Sequence, residues 1–111
     1  METELIVTVE EFLRDKKGVS AEKMRDSLKE SSANLKEIMD TLDESIEEGE
    51  FEEVVSGANS LKESLINLGL EELSMVAGNI ETAASSTSPL YLNCYYMRLR
   101  RELLPLLNYT D

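Results

Sequence analysis

The chain contains no histidine and a single cysteine, Cys94, so any acid, base, nucleophile or metal ligand has to come from carboxylates, lysines and hydroxyls. Asn59, Ser60, Lys62, Glu63 and Ser64 bring a lysine, a carboxylate and two hydroxyls together with an amide in one short stretch. Neither serine has a candidate base to activate it, and a serine nucleophile requires one within hydrogen-bond reach. Capping or packing accounts better for both, with Ser64 expected to point inward. Cys94 lies among Tyr91, Leu92, Tyr95 and Tyr96, where a lone cysteine is expected to be a small core residue and the tyrosines to pack with their hydroxyls outward. One cysteine without histidine cannot assemble a zinc site. The stretch from Asp43 to Glu53 holds seven acids and no base, but it lacks the Asp-x-Asp-x-Asp-Gly spacing of a calcium loop and reads as a solvated helix end and turn. No glycine-rich phosphate loop is present. No catalytic residue, metal or cofactor is expected, and an enzyme is the least favoured class.

Charge narrows the partners. The net charge is −12, and Met1 to Glu53 carries 17 acids against 7 bases, which repels phosphates over most of the surface and argues against nucleic-acid binding. Arg98, Arg100 and Arg101 are the only basic concentration after Lys36; they are expected to balance the acidic second helix, with an acidic partner as the alternative. No apolar run approaches the roughly 20 residues that span a bilayer, and no leader-like segment opens the chain. A cytoplasmic protein with no membrane contact is the expectation.

The elements that would carry these residues are helical. Leu5, Val9, Phe12 and Leu13 keep helical spacing between Glu4 and Lys17, with Thr8 as a candidate N-cap and Gly18 as the stop. Ser20 can cap a long second helix to about Glu48, in which Leu28, Leu35 and Leu42 recur every seven residues with Met39 and Ile46 beside them. A third helix, from about Glu50 to Leu68, aligns Phe51, Val54, Ala58, Leu61, Leu65 and Leu68 before Gly69. Leu70, Leu73, Ala77, Ile80 and Ala84 define a fourth, followed by a loop over Ala83 to Ser88. Ser88 and Pro89 open a last helix with Leu92, Tyr96, Leu99 and Leu103, which Pro105 is expected to end near Leu104. With connections this short, neighbours run antiparallel. The expected fold is all-α, an antiparallel up-and-down four-helix bundle with a short extra N-terminal helix, forming a single domain over residues 1–111.

The third helix reads Ala58-Asn59-Ser60-Leu61-Lys62-Glu63-Ser64-Leu65-Ile66-Asn67-Leu68-Gly69. It resembles the signature of histidine phosphotransfer (HPt) domains, Ala-His-x-Leu-Lys-Gly-Ser followed by a small residue, x, Asn, Leu and Gly. Ala58, Leu61, Lys62, Ser64, Asn67, Leu68 and Gly69 agree in identity, and the resemblance covers roughly residues 20 to 105. Two departures set its meaning. Asn59 stands where the family has its phosphoacceptor histidine, and an amide nitrogen, its lone pair delocalised into the carbonyl, cannot accept a phosphoryl group. Glu63 stands where the family prefers glycine, one turn further along the same face, and puts a carboxylate close to where a phosphate would sit.

At about 100° per residue, Asn59 lies some 200° around the helix from Leu61 and should face solvent. Val55, Lys62, Glu63 and Ile66 fall on that outer sector, giving a polar centre flanked by aliphatics of the kind that marks a contact surface. The resemblance implies a non-catalytic, pseudo-phosphotransfer signalling adaptor of a two-component system. It would be a monomer that binds a response-regulator receiver domain or a histidine kinase through Val55, Asn59, Lys62, Glu63 and Ile66 and modulates a phosphorelay without carrying phosphate. Two alternatives stay open: a structural or assembly module with itself or an unrelated protein as partner, and an active phosphotransfer protein whose histidine was changed to asparagine.

Overall fold

Four short breaks in the apolar periodicity, each followed by a new amphipathic stretch, divide the chain into helices, and the computed structural model describes residues 2–86 and 88–109 of it, with Glu2 and Thr3 as backbone only. The described residues form five helices, α1 (Glu2–Lys17), α2 (Ala21–Glu48), α3 (Phe51–Ile66), α4 (Glu71–Ser85) and α5 (Pro89–Leu107), and no strand. They pack into one compact all-α body 44 × 23 × 21 Å in extent. At about 1.5 Å per residue, the 28 residues of α2 span nearly the whole of the long dimension.

Periodicity explains which faces turn inward. Leu28, Leu35, Met39 and Leu42 of α2 are buried, as are Val54, Ala58, Leu61 and Leu65 of α3, Leu73, Ala77, Ile80 and Ala84 of α4, and Leu92, Tyr96, Leu99 and Leu103 of α5. The backbones of α2 and α3, α3 and α4, α4 and α5, and α5 and α2 lie side by side, so these four close into a ring, with α3 and α4 the most closely apposed. Among the described residues α3 and α5 do not approach one another, nor do α2 and α4; each pair sits at diagonal corners. α1 lies against α2 and α5 and buries Val9 and Leu13.

The turns that follow α2 and α3 depend on glycine. Gly49 (φ 71°) and Gly69 (φ 77°) adopt the left-handed region, where a Cβ is costly. At each, paired N–H groups close the preceding helix: Gly49 and Glu50 donate to Ile46 and Ser45, and Gly69 and Leu70 donate to Ile66 and Leu65. Gly69 carries a second constraint, because a Cβ there would lie 2.4 Å from Cγ of Phe12. The α3–α4 turn and α1 are thus fitted against each other at a point that only glycine can occupy.

Three expectations about element ends are corrected. Thr8 is no N-cap: α1 begins at Glu2, is as long as α3, and Thr8 donates its hydroxyl to the Glu4 carbonyl one turn back. The loop expected from Ala83 is helical to Ser85, because Ala83 and Ala84 are buried and Thr82 and Ser85 bond back to Gly78 and Glu81. Pro105 lies inside α5, which runs on to Leu107. A proline there costs about 3 kcal/mol, and burial of Leu106 and Leu107, each worth about 1.5–3 kcal/mol, offsets it.

Candidate functional site

The candidate site is built on the outward face of α3. With Val54, Ala58, Leu61 and Leu65 turned into the core, helical geometry leaves Asn59, Glu63 and Ile66 exposed, Ile66 at 48%. Val55 is half-buried and packs against the core, so it borders the patch rather than standing out from it.

Lys62 is the member whose surroundings the sequence did not disclose. Its ammonium donates to Glu81 of α4 at 3.2 Å, with both side chains about one-third exposed. The aliphatic stem passes over Gly78, where a Cβ would meet Lys62 Cδ at 3.9 Å. The α3–α4 seam is thus crossed by an ion pair beside a helical glycine, and the lysine charge is oriented toward α4. Such a half-exposed pair stabilises by about 0.5 kcal/mol, so its greater effect is to orient the lysine. Glu81 and Gly78 belong to the site and were missed from sequence. The signal that could have found them is the small pair Ala77-Gly78 in the fourth helix, where a missing side chain leaves room for a long neighbour. Met75, one turn before Gly78 on α4, is 69% exposed and adds an apolar position on that helix.

The two serines fall on the α2 side. Ser64 is half-buried, as expected, and accepts a hydrogen bond from Asn34 Nδ2 at 3.2 Å. Ser60 lines a shallow groove of about 480 Å³ between α2 and α3 with Glu37, Glu52 and Glu53. Among the described residues no group of three or more Cys, Asp or Glu side chains is arranged to hold a metal ion. None of the described helices is long and apolar enough to cross a membrane.

The aromatic and basic residues of α5 part company. Tyr96 is buried and donates to the Met39 carbonyl at 3.3 Å while accepting from Arg100 at 3.1 Å. Burial first, and then the charge of Asp43, holds the Tyr96 hydroxyl above its ordinary titration range, although Arg100 opposes this. Arg100 is held above its ordinary range first by its bond to Tyr96, with the charges of Asp43 and Asp40 of α2 adding less. Arg98 instead bonds Glu102 on its own helix at 2.7 Å, and Arg101 lines a groove with Glu4, Glu71, Glu72 and Glu102. Cys94 is exposed, not a core residue, and Tyr91 is 61% exposed. The core face of α5 is already filled by Leu92, Tyr96 and Leu99 at helical spacing, which turns positions 91 and 94 outward.

No protein-family model matches the sequence, and no curated protein or solved structure matches the chain.

Proposed function

We propose that the chain is a non-catalytic, HPt-like adaptor that docks on a receiver domain or a histidine kinase through the face around Asn59 and so competes with, or redirects, phosphotransfer. The observation that carries this reading is the run Ala58 to Gly69, which lies on α3 and the turn after it, with Asn59 on the exposed face beside Glu63 and Ile66. The closed ring of α2, α3, α4 and α5, joined by short connections, supports an antiparallel four-helix bundle as its frame. Resemblance in α3 supplies the partner class; the chemistry of the amide removes the reaction. Asn59 has no nucleophilic lone pair to offer an aspartyl phosphate, and the sequence has no histidine to replace it.

Docking without transfer makes the effect one of mass action. A partner bound here is withheld in the fraction [L]/([L] + Kd), so inhibition rises with the concentration of this chain until the partner is saturated and has no turnover. Glu63 supplies a fixed negative charge one turn from Asn59, and Ile66 an apolar contact.

The test is a titration of the chain against receiver domains with and without beryllofluoride, together with a phosphotransfer assay of Asn59→His. Micromolar binding to one or a few receivers that falls when Asn59 and Ile66 are both changed to Arg, with labelling gained only by the histidine variant, is the expected result. A receiver that binds the double arginine variant as well as the original chain would sink the proposed face, and absence of any binding or gained transfer would sink the family reading.

A further inference from the structure

α5 is apolar on two opposite sides. Leu92, Tyr96, Leu99, Leu103 and Leu106 form its buried face. Leu90, Cys94, Met97, Arg101 and Leu104 follow one another at alternating steps of four and three residues, and at about 100° per residue their mean direction points roughly 160° away from the core. Leu90 is 72%, Met97 60% and Leu104 45% exposed. A helix on the surface of a folded domain needs one apolar stripe. A second one, at the spacing of a coiled-coil seam, leaves apolar area in water that none of the described residues covers.

Charge is distributed around that stripe in a way that specifies the occupant. Arg98, which bonds Glu102 of its own helix, flanks one side, Arg100, which bonds the Tyr96 hydroxyl, the other, and Arg101 interrupts the stripe, so α5 carries three arginines against one glutamate while the whole chain carries −12. We propose that the outward face of α5 docks an amphipathic helix of another protein, one with leucine-like side chains at heptad spacing flanked by glutamates or aspartates. The surface is separate from the Asn59 face, because α3 and α5 stand at diagonal corners. At its C-terminal end the stripe enters a groove of about 650 Å³, where Arg101, Leu104 and Pro105 face Leu5 and Thr8 of α1; Glu4, Glu71, Glu72 and Glu102 also line it, so the groove offers a recess for the last apolar side chain of the incoming helix but not for its acids.

A second copy of the chain is the wrong occupant on the same geometry. An antiparallel α5–α5 pair centred on Met97 would match Leu90 with Leu104 of the other copy but set the two Arg98 flanks against each other, and a parallel pair would stack Arg101 on Arg101. Each copy would also bring its −12 charge to the other.

The probe is a fluorescein-labelled peptide of about 24 residues with Leu at heptad positions a and d and Glu at e and g, compared with the same peptide carrying Lys at e and g. The expected result is saturable binding of the Glu peptide to the full chain, weakened about tenfold or more by Met97→Glu and by Arg98→Glu with Arg101→Glu, and weakened by salt. The Lys peptide should bind at least about tenfold less tightly. Cys94, the sole thiol, gives a direct map: its rate of reaction with a soluble disulfide should fall several-fold when the Glu peptide is bound. All substituted positions are exposed, and an unchanged helical spectrum verifies each variant's fold. No saturable binding, equal binding of both peptides, or an unaltered Cys94 rate in the complex overturns the proposal. Self-association abolished by Met97→Glu would assign the face to a second copy, and adsorption to anionic phospholipid vesicles abolished by Met97→Glu would assign it to a membrane; either also overturns it.

Discussion

Replacing Gly69 by alanine separates two costs that a sequence alone would merge. Gly69 and Gly49 share nearly the same left-handed backbone, φ 77° and 71°, and an L-residue in that region costs about 1–2 kcal/mol. At Gly49 nothing lies within 4 Å of an added Cβ, whereas at Gly69 it would lie 2.4 Å from Phe12 Cγ, 2.5 Å from Cδ1 and 2.8 Å from Cβ. Overpacking of this kind adds about 1–3 kcal/mol. Gly49→Ala should therefore cost about 1–2 kcal/mol and Gly69→Ala about 2–5 kcal/mol, measured by urea unfolding at constant m-value. The excess should shrink in a Phe12→Ala background, which removes the two ring atoms and leaves only the Cβ contact, giving a coupling of about 1 kcal/mol or more in the double-mutant cycle. Equal costs at Gly49 and Gly69, or no coupling to Phe12, would refute the fit between α1 and the α3–α4 turn.

Tyr96→Phe should cost about 1 kcal/mol at neutral pH for the lost bond to the Met39 carbonyl. Because the folded state holds the Tyr96 proton above the ordinary 10.0, this contribution is complete below pH 10 and is lost as pH rises through the folded value, so the two proteins' stabilities should converge in alkaline unfolding titrations. Glu50 is held above its ordinary 4.5, first by a hydrogen bond to Glu48 and then by the charges of Glu48, Glu53 and Glu44. Glu50→Gln should accordingly raise the melting temperature at pH 7, and the gain should vanish as pH falls below 4.5; a gain that persists in acid would contradict the repulsion. Gly78→Ala meets only Lys62 Cδ at 3.9 Å and should stabilise by up to about 1 kcal/mol through helix propensity, whereas Gly57→Ala, 3.1 Å from Cδ1 of the buried Leu42, should gain less. Ser32→Ala removes the buried bond to the Leu107 carbonyl and should cost about 1 kcal/mol, with faster amide exchange in the last turn of α5 as the local readout.

Long amphipathic stretches and glycine stops were the legible part of the fold. Leu28, Leu35 and Leu42 located α2 because a seven-residue recurrence has one helical interpretation, and Gly49 and Gly69 marked true left-handed turns. Helix ends without such a signal went astray, since Thr8, Thr82 and Ser85 serve a helix interior as readily as a cap once the hydroxyl bonds one turn back. Pro105 misled for a different reason: local chemistry argued for a stop, while two leucines beyond it had a core to enter. In the candidate site, the exposure of Asn59 followed from its angle to Leu61. The pairing of Lys62 with Glu81 did not, because it depends on which helix lies beside α3 and at what height. Cys94 shows the same limit. A helix with two apolar stripes does not say which one is covered, and the tyrosines around Cys94 pointed to the wrong one.

The diagonal placement of α3 and α5 has a consequence for dosage. The two proposed faces share no residue, so if both are docked one copy would hold two different proteins together and raise each partner's local concentration toward the other, as any short tether does. The same independence makes an excess self-defeating. When copies outnumber both partners, each partner is captured on a separate copy, and the yield of the three-component assembly passes through a maximum and then declines. A cell that uses this chain as a bridge would have to hold its abundance near that of its scarcer partner, whereas one that uses only the Asn59 face would see inhibition rise without limit of that kind.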